Sequence, residues 1–192
     1  MQFIPQSIPE IILIQPKVFG DNRGYFTETY HKAQLEQAVG FSINFIQDNE
    51  SKSTKGVLRG LHYQLPPYAQ TKLVRVITGE VLDIAVDIRQ GSPTYGQYVS
   101  AILSGNNKHQ LLIPRGFAHG FVVLSEEAIF SYKVDNYYAP EHDRGIAYND
   151  PQIKLDWQLP VEQLHLSSKD QEQPFLNQIE DTGFYYGISP YA

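Results

Sequence analysis

Cysteine is absent from the 192 residues, which excludes disulfides, thiolate nucleophiles and cysteine-ligated zinc. Basic runs are absent as well. With 15 Lys and Arg against 21 Asp and Glu, the formal net charge is -6, so a nucleic-acid interface lacks its electrostatic footprint. Apolar runs extend only a few residues, far short of the roughly 20 that cross a bilayer. The N-terminus, Met1-Gln2-Phe3-Ile4-Pro5, shows no basic region followed by an apolar stretch, so no secretory signal is read there. The expectation is a soluble cytoplasmic protein with no nucleic-acid or membrane partner.

Aromatic residues, by contrast, are plentiful, with 13 Tyr and 10 Phe. They fit a core, a subunit interface or a stacking surface for a planar ligand. A chain of this length buries roughly 70% of its unfolded surface. A single domain over residues 1–192 is therefore expected without staples, with a C-terminal tail of no strong pattern from about Phe175.

The apolar periodicity is that of short strands broken by Gly, Pro and Asn. Candidate strands run over Ile11–Lys17, Gly24–Tyr30, Asn44–Glu50, Val57–Tyr63 and Lys72–Ile77. Others follow at Val81–Ile88, Tyr98–Leu103, Gln110–Ile113, Gly120–Leu124 and Ile129–Val134. So many strands so close together leave no room for βαβ crossovers. An all-β jelly-roll sandwich with a few short helices fits best. Alternation is clearest in Val81–Ile88, where Leu82, Ile84, Val86 and Ile88 share one face, and Asp83 and Asp87 the other. One face should be core, the other wet or lining a polar cavity. A helix is expected over His31–Val39, ended by Gly40, and a second short one after Pro160.

Of six histidines, His62 and His119 sit inside strand-like apolar runs, while His31, His109, His142 and His165 have polar or loop neighbours and read as surface residues. A lone strand histidine is ordinarily a structural hydrogen-bonding group. Here each has an arginine close by, in Arg59-Gly60-Leu61-His62 and in Arg115-Gly116-Phe117-Ala118-His119. Charge placed in a strand is costly unless a polar cleft receives it. These two segments, with Lys72 and Arg75, point to one cleft. Arg59 and His62 have opposite parity in a regular strand. If both face the cleft, a bulge near Gly60 must reset the alternation.

Pro114-x-Gly116-x-x-His119 resembles the second box of the cupin jelly rolls. The first box would offer His-x-His and a Glu to a metal, whereas this chain has His62-Tyr63-Gln64 and no Glu before Lys72. No metal site is expected, and no cofactor. The metal-free cupins that this sequence resembles are the dTDP-4-dehydrorhamnose 3,5-epimerases. The resemblance runs from about Phe19 to Pro174. It is carried by Gly20-Asp21-x-Arg23-Gly24-x-Phe26-x-Glu28, Gln47-Asp48-Asn49, Arg59–Gln64, Pro114–Phe121 and Leu166-Ser167-x-Lys169-Asp170, in that order. It implies His62 as base, Asp170 as the carboxylate orienting it, Lys72 as the cation at the sugar C4 oxygen and Tyr132 as proton donor. Arg23, Glu28, Gln47, Asn49, Arg59, His119, Asp143 and Lys169 fall where the family contacts a nucleotide sugar. The sequence departs from the family pattern at Asp143 (often Glu), Tyr148 (often Trp) and Glu50 (usually neutral or His). None of these is one of the four chemical positions.

Those residue types suit the chemistry the resemblance implies. A C–H beside a ketone is weakly acidic, and its loss puts charge on the carbonyl oxygen. A histidine titrates in the right range to act as base, a carboxylate fixes its tautomer, and a cation stabilises the enolate. Plainer readings stand beside these: Ser167-x-x-Asp170 is also a helix N-cap pattern, Tyr132 a packed strand aromatic, Lys72 a solvated lysine. The expected activity is conversion of dTDP-4-dehydro-6-deoxy-D-glucose to dTDP-4-dehydro-L-rhamnose by a homodimer. The alternatives are a single-centre epimerase or 3,4-ketoisomerase on a related sugar, a non-catalytic sugar-nucleotide-binding cupin, and, third, a metal dioxygenase.

Overall fold

The computed structural model describes residues 1–191; Ala192, the last residue of the expected tail, lies outside them. In chain order the strands are β1 (Gln2–Pro5), β2 (Ile12–Gln15), β3 (Val18–Asp21), β4 (Gly24–Thr27), β5 (Gln47–Thr54), β6 (Leu58–Gln64) and β7 (Lys72–Thr78). They continue as β8 (Glu80–Asp87), β9 (Tyr98–Ser104), β10 (Gln110–Ile113), β11 (Phe117–Val123), β12 (Glu127–Val134) and β13 (Asp143–Gly145). Helices are α1 (Lys32–Val39) and α2 (Ser168–Gln171). Two antiparallel sheets, ordered β1-β2-β10-β7-β12-β5 and β13-β6-β11-β8-β9, face each other as a cupin-type jelly roll. Among the described residues no helix is long and apolar enough to cross a membrane.

Side-chain parity sorts the strands into layers. Val74, Val76, Val81, Ala85, Phe117, Phe121 and Phe130 meet between the sheets. The opposite face of the five-stranded sheet is covered too: Leu82, Ile84, Val86 and Ile88 lie under Ile146, Ile153, Trp157, Leu176 and Phe184. On the other sheet Ile12, Ile14, Leu73 and Leu112 are covered by Leu35 and Ile43. Of the two expectations for the aspartate face of β8, wet or lining a polar cavity, the first is therefore corrected. Asp83 and Asp87 are both fully buried, because their face, shared with Val81 and Ala85, packs toward the other sheet while the C-terminal third of the chain covers the aliphatic face.

Local signals placed α1 well. His31 caps it, its side chain accepting from Gln34 N, and Gly40 ends it at φ 83°, a left-handed conformation cheap only for glycine. A 3-10 turn at Val161–Gln163 follows Pro160 as expected. Three short strands, β1, β3 and β13, were not foreseen. Asn44–Phe45–Ile46 is irregular, and β5 begins later and runs on to Thr54. The tail folds back: Leu176 and Phe184 are buried, and the Thr182 hydroxyl donates to the Ile88 carbonyl at 2.7 Å.

β3 and β4 form a two-stranded ribbon apart from both sheets. Its Val18, Phe19, Tyr25 and Phe26 are all exposed, Phe26 to 67%.

Candidate active site

The bulge lies where strand parity demands it. β6 pairs with β11 so that His62 faces His119 and Arg59 faces Phe121, two residues on β6 opposing one on β11. Gly60 takes a φ of 131°, and a Cβ there would come within 2.5 Å of Gly120 Cα. Leu58, Leu61 and Tyr63 thus turn to the outer core, while Arg59 and His62 both turn into a cleft of about 550 Å³ between the sheets.

Seven of the expected residues line that cleft: Arg59, His62, Lys72, His119, Tyr132, Lys169 and Asp170. His62 Nε2 lies 2.5 Å from Asp170 Oδ1. A carboxylate accepts, so Nε2 carries a hydrogen, and in the neutral ring the lone pair stays on Nδ1. Asp170 is buried, which alone would push its carboxyl up, but the hydrogen bond and charge of His62 outweigh this and hold it below the usual range. Ser167 caps α2 by accepting from Asp170 N at 3.2 Å. Asp170 therefore serves the cap of α2 through its backbone and meets His62 through its side chain.

Lys72 faces inward with Val74 and Val76, its Nζ 3.5 Å from the His62 carbonyl oxygen. It is not the solvated lysine of the plainer reading. Burial pulls its pKa down to about 8, against the opposing pull of Asp143 and Asp83. Tyr132 packs on the inner core as a strand aromatic and lines the cleft as well. Burial raises its pKa, so the phenol holds its proton. The His119 ring is almost wholly buried, its Nε2 2.9 Å from Asp83 Oδ2. Burial lowers the pKa of His119 and raises that of Asp83, as expected where charge is poorly solvated.

Arg59 donates to Ser53 Oγ at 3.1 Å and has no carboxylate partner among the described residues. Lys169 pairs with Asp143, whose other contact is the Tyr138 hydroxyl. Asn49 is the ladder partner of Tyr132, and Gln47 of Val134, on the same face as Ser51 of the cleft wall. Arg23 and Glu28 are not brought to the cleft within one chain. Arg23 sits on the projecting ribbon, paired with Asp21 at 2.6 Å. Among the described residues no three His, Cys, Asp or Glu side chains converge as metal ligands.

Two residues of the site escaped the sequence reading. Asp83 was placed on a face either wet or lining a polar cavity and was given no partner, although a carboxylate inside Val81-Leu82-Asp83-Ile84 could have signalled a buried one. His165 looked like a loop residue, yet it lines the cleft. A bridge to Val57 puts it there, a long-range pairing without local signature.

Sheet pairing and cleft define a jelly-roll protein whose cleft brings together a histidine–carboxylate pair, an ammonium and a phenol. The family model for dTDP-4-dehydrorhamnose 3,5-epimerase matches residues 5–178, and the chain belongs to that family. It is 56% identical over 170 residues to the dTDP-4-dehydrorhamnose 3,5-epimerase of Shigella flexneri, covering 88% of this chain and 93% of the relative. It superposes with a TM-score of 0.93 on the dTDP-6-deoxy-D-glucose-3,5-epimerase of Legionella pneumophila solved with dTDP-4-keto-L-rhamnose, at 50% identity over 98% of this chain and 99% of that one. A dTDP-4-dehydrorhamnose 3-epimerase of Streptomyces niveus is 34% identical over 95% of this chain and 87% of its own length.

Proposed function

We propose that the protein inverts C3 and C5 of dTDP-4-dehydro-6-deoxy-D-glucose, giving dTDP-4-dehydro-L-rhamnose. The observation that carries this reading is the convergence of the His62–Asp170 dyad, Lys72 and Tyr132 in one cleft. Neutral His62 takes the proton from the carbon beside the C4 ketone, and Asp170 stabilises the imidazolium that forms. The electron pair moves to the C4 oxygen, where the Lys72 ammonium balances it. Tyr132, kept protonated by burial, returns a proton to the other face of the same carbon. Proton exchange with solvent then resets both groups, and a second round inverts the second carbon. Higher identity to the double epimerase than to the 3-epimerase supports inversion at both centres.

Arg59, His119, Lys169, Asp143, Gln47 and Asn49 are assigned to binding the nucleotide sugar. Arg59, a cation without a carboxylate partner, is suited to the diphosphate. Arg23 and Glu28 are assigned to the cleft of a second copy. An isolated two-stranded ribbon is marginal by itself, and the apolar residues of this one are all exposed, so a homodimer that covers it is proposed.

The test is proton NMR in heavy water with dTDP-4-dehydro-6-deoxy-D-glucose. The expected result is deuterium at both C3 and C5 with conversion to the L-configured product. Exchange at one carbon alone would make this a single-centre epimerase. Binding without exchange would make it a carrier of the sugar nucleotide.

A further inference from the structure

The family model ends at residue 178, yet the chain beyond it reaches back to the strands that carry the proposed chemistry. Tyr191 Oη lies 2.9 Å from the hydroxyl of Thr71, a fully buried residue immediately before Lys72. The same oxygen accepts from Arg115 N at 3.4 Å, so the phenol joins the Thr71 hydroxyl and the Arg115 backbone at one point. The Tyr191 ring packs on Phe41 with centroids 4.5 Å apart, and the Arg115 guanidinium lies over the Tyr191 ring, 5.0 Å from its centroid. Arg115 Nη1 also donates to the Pro190 carbonyl at 3.1 Å.

These contacts converge on one carboxylate. Asp135 accepts from Thr71 N at 2.6 Å and pairs with Arg115 Nη2 at 3.1 Å. Asp135 follows the last residue of β12, Val134, which is the ladder partner of Lys72. The knot of Thr71, Asp135, Arg115 and Tyr191 therefore closes the end of the β7–β12 ladder. Lys72 lies at the first position of that ladder and Tyr132 two residues before its end. The knot thereby sets where the ammonium stands relative to the phenol.

We infer that Tyr191 is a positioning residue: through Thr71 and Asp135 the C-terminal segment holds Lys72 and Tyr132 at the spacing that enolate stabilisation and proton return require. The inference rests on the roles proposed above for those two side chains. A buried hydroxyl pair fixes geometry beyond what ring packing alone provides, because the partner left behind is unsatisfied when one hydroxyl is removed. A displacement of about 1 Å at a reacting group is enough to cost turnover.

The test uses the full chain with Tyr191→Phe, which keeps the ring on Phe41 and Arg115, with Thr71→Val, and with both together. Each single variant is expected to lower kcat about threefold to tenfold with KM within about twofold. The double variant should be no slower than the slower single one, because both remove the same bond. A merely structural strap would lower Tm and leave kcat per folded enzyme unchanged. That outcome, or a double variant whose loss equals the product of the single losses, overturns the inference. Should wild-type enzyme fail to turn over, the proposed function falls, and amide exchange of residues 73–75 decides the strap independently. Faster exchange there in Tyr191→Phe supports it, and unchanged exchange refutes it.

Discussion

Two histidine–aspartate pairs stand side by side in this sandwich, and they are built from the same groups with opposite consequences. His62 and His119 are direct partners across the β6–β11 ladder. The His62 side chain is 30% exposed and its carboxylate comes from a short helix. The His119 side chain is 8% exposed, and its carboxylate comes from the neighbouring strand and is wholly buried. The first aspartate is held below its usual range by its histidine, while the second is pushed up by burial that its histidine does not offset. One of the Asp83 oxygens has no hydrogen-bond partner among the described residues. A dyad can gain and release a proton only where the charged state is solvated or otherwise met. By that measure the proposed working pair is His62–Asp170, and the proposed fixed one His119–Asp83.

Replacing each histidine should separate them most clearly. His62→Ala is expected to lose about 10²- to 10⁴-fold in both solvent exchange and inversion, measured by NMR in heavy water. His119→Ala should instead raise KM and lower Tm, since removing one member of a buried pair costs about 3–5 kcal/mol. Equal losses of exchange in the two variants would erase the distinction. Tyr132→Phe sharpens the role of the working pair. Inversion should fall about 10²-fold, while exchange continues, because His62 can still take a proton and return it to the original face. If exchange stops as completely as in His62→Ala, proton return from a second face is wrong.

Smaller effects follow from the fixed pair. Lys72 must be protonated to hold an enolate, and its pKa has been lowered to about 8, so kcat should decline as pH rises through about 8. The negative charges of Asp143 and Asp83 act against that lowering. Asp83→Asn should accordingly move the alkaline limb to lower pH, and Lys72→Arg, whose cation does not titrate in this range, should abolish it. A limb that stays in place in both variants would detach Lys72 from the profile. Smallest of all should be the effect of chelation. Exhaustive EDTA treatment is expected to leave turnover unchanged, and a loss restored by a divalent metal would overturn a mechanism carried by side chains alone.

The working pair was legible in the sequence and the fixed pair only half so. His62 stands in Arg59-Gly60-Leu61-His62, where parity alone required a bulge, and the motif order supplied Asp170 from more than a hundred residues away. Asp83 was misread because alternation tells which residues share a face but not what covers that face. Its face packs toward the other sheet, while residues 146–184, whose apolar side chains lack strand or helix periodicity, cover the opposite one. His165 and β13 escaped for a related reason, being held by pairings with distant segments. The ribbon of β3 and β4 was half visible, as the candidate strand Gly24–Tyr30, but its detachment from the sheets is a tertiary fact.

The irregular step in β6 makes the cleft sensitive to chain length rather than to composition. Arg59 and His62 share a wall because two residues, Gly60 and Leu61, intervene where the partner strand spends one. Deleting either would restore ordinary pairing and swing the arginine or the histidine out through the sheet. Adding a methyl at 60 would drive it into the backbone of Gly120. Anyone transplanting this chemistry into another sandwich must therefore copy a spacing and a missing side chain before copying any functional group.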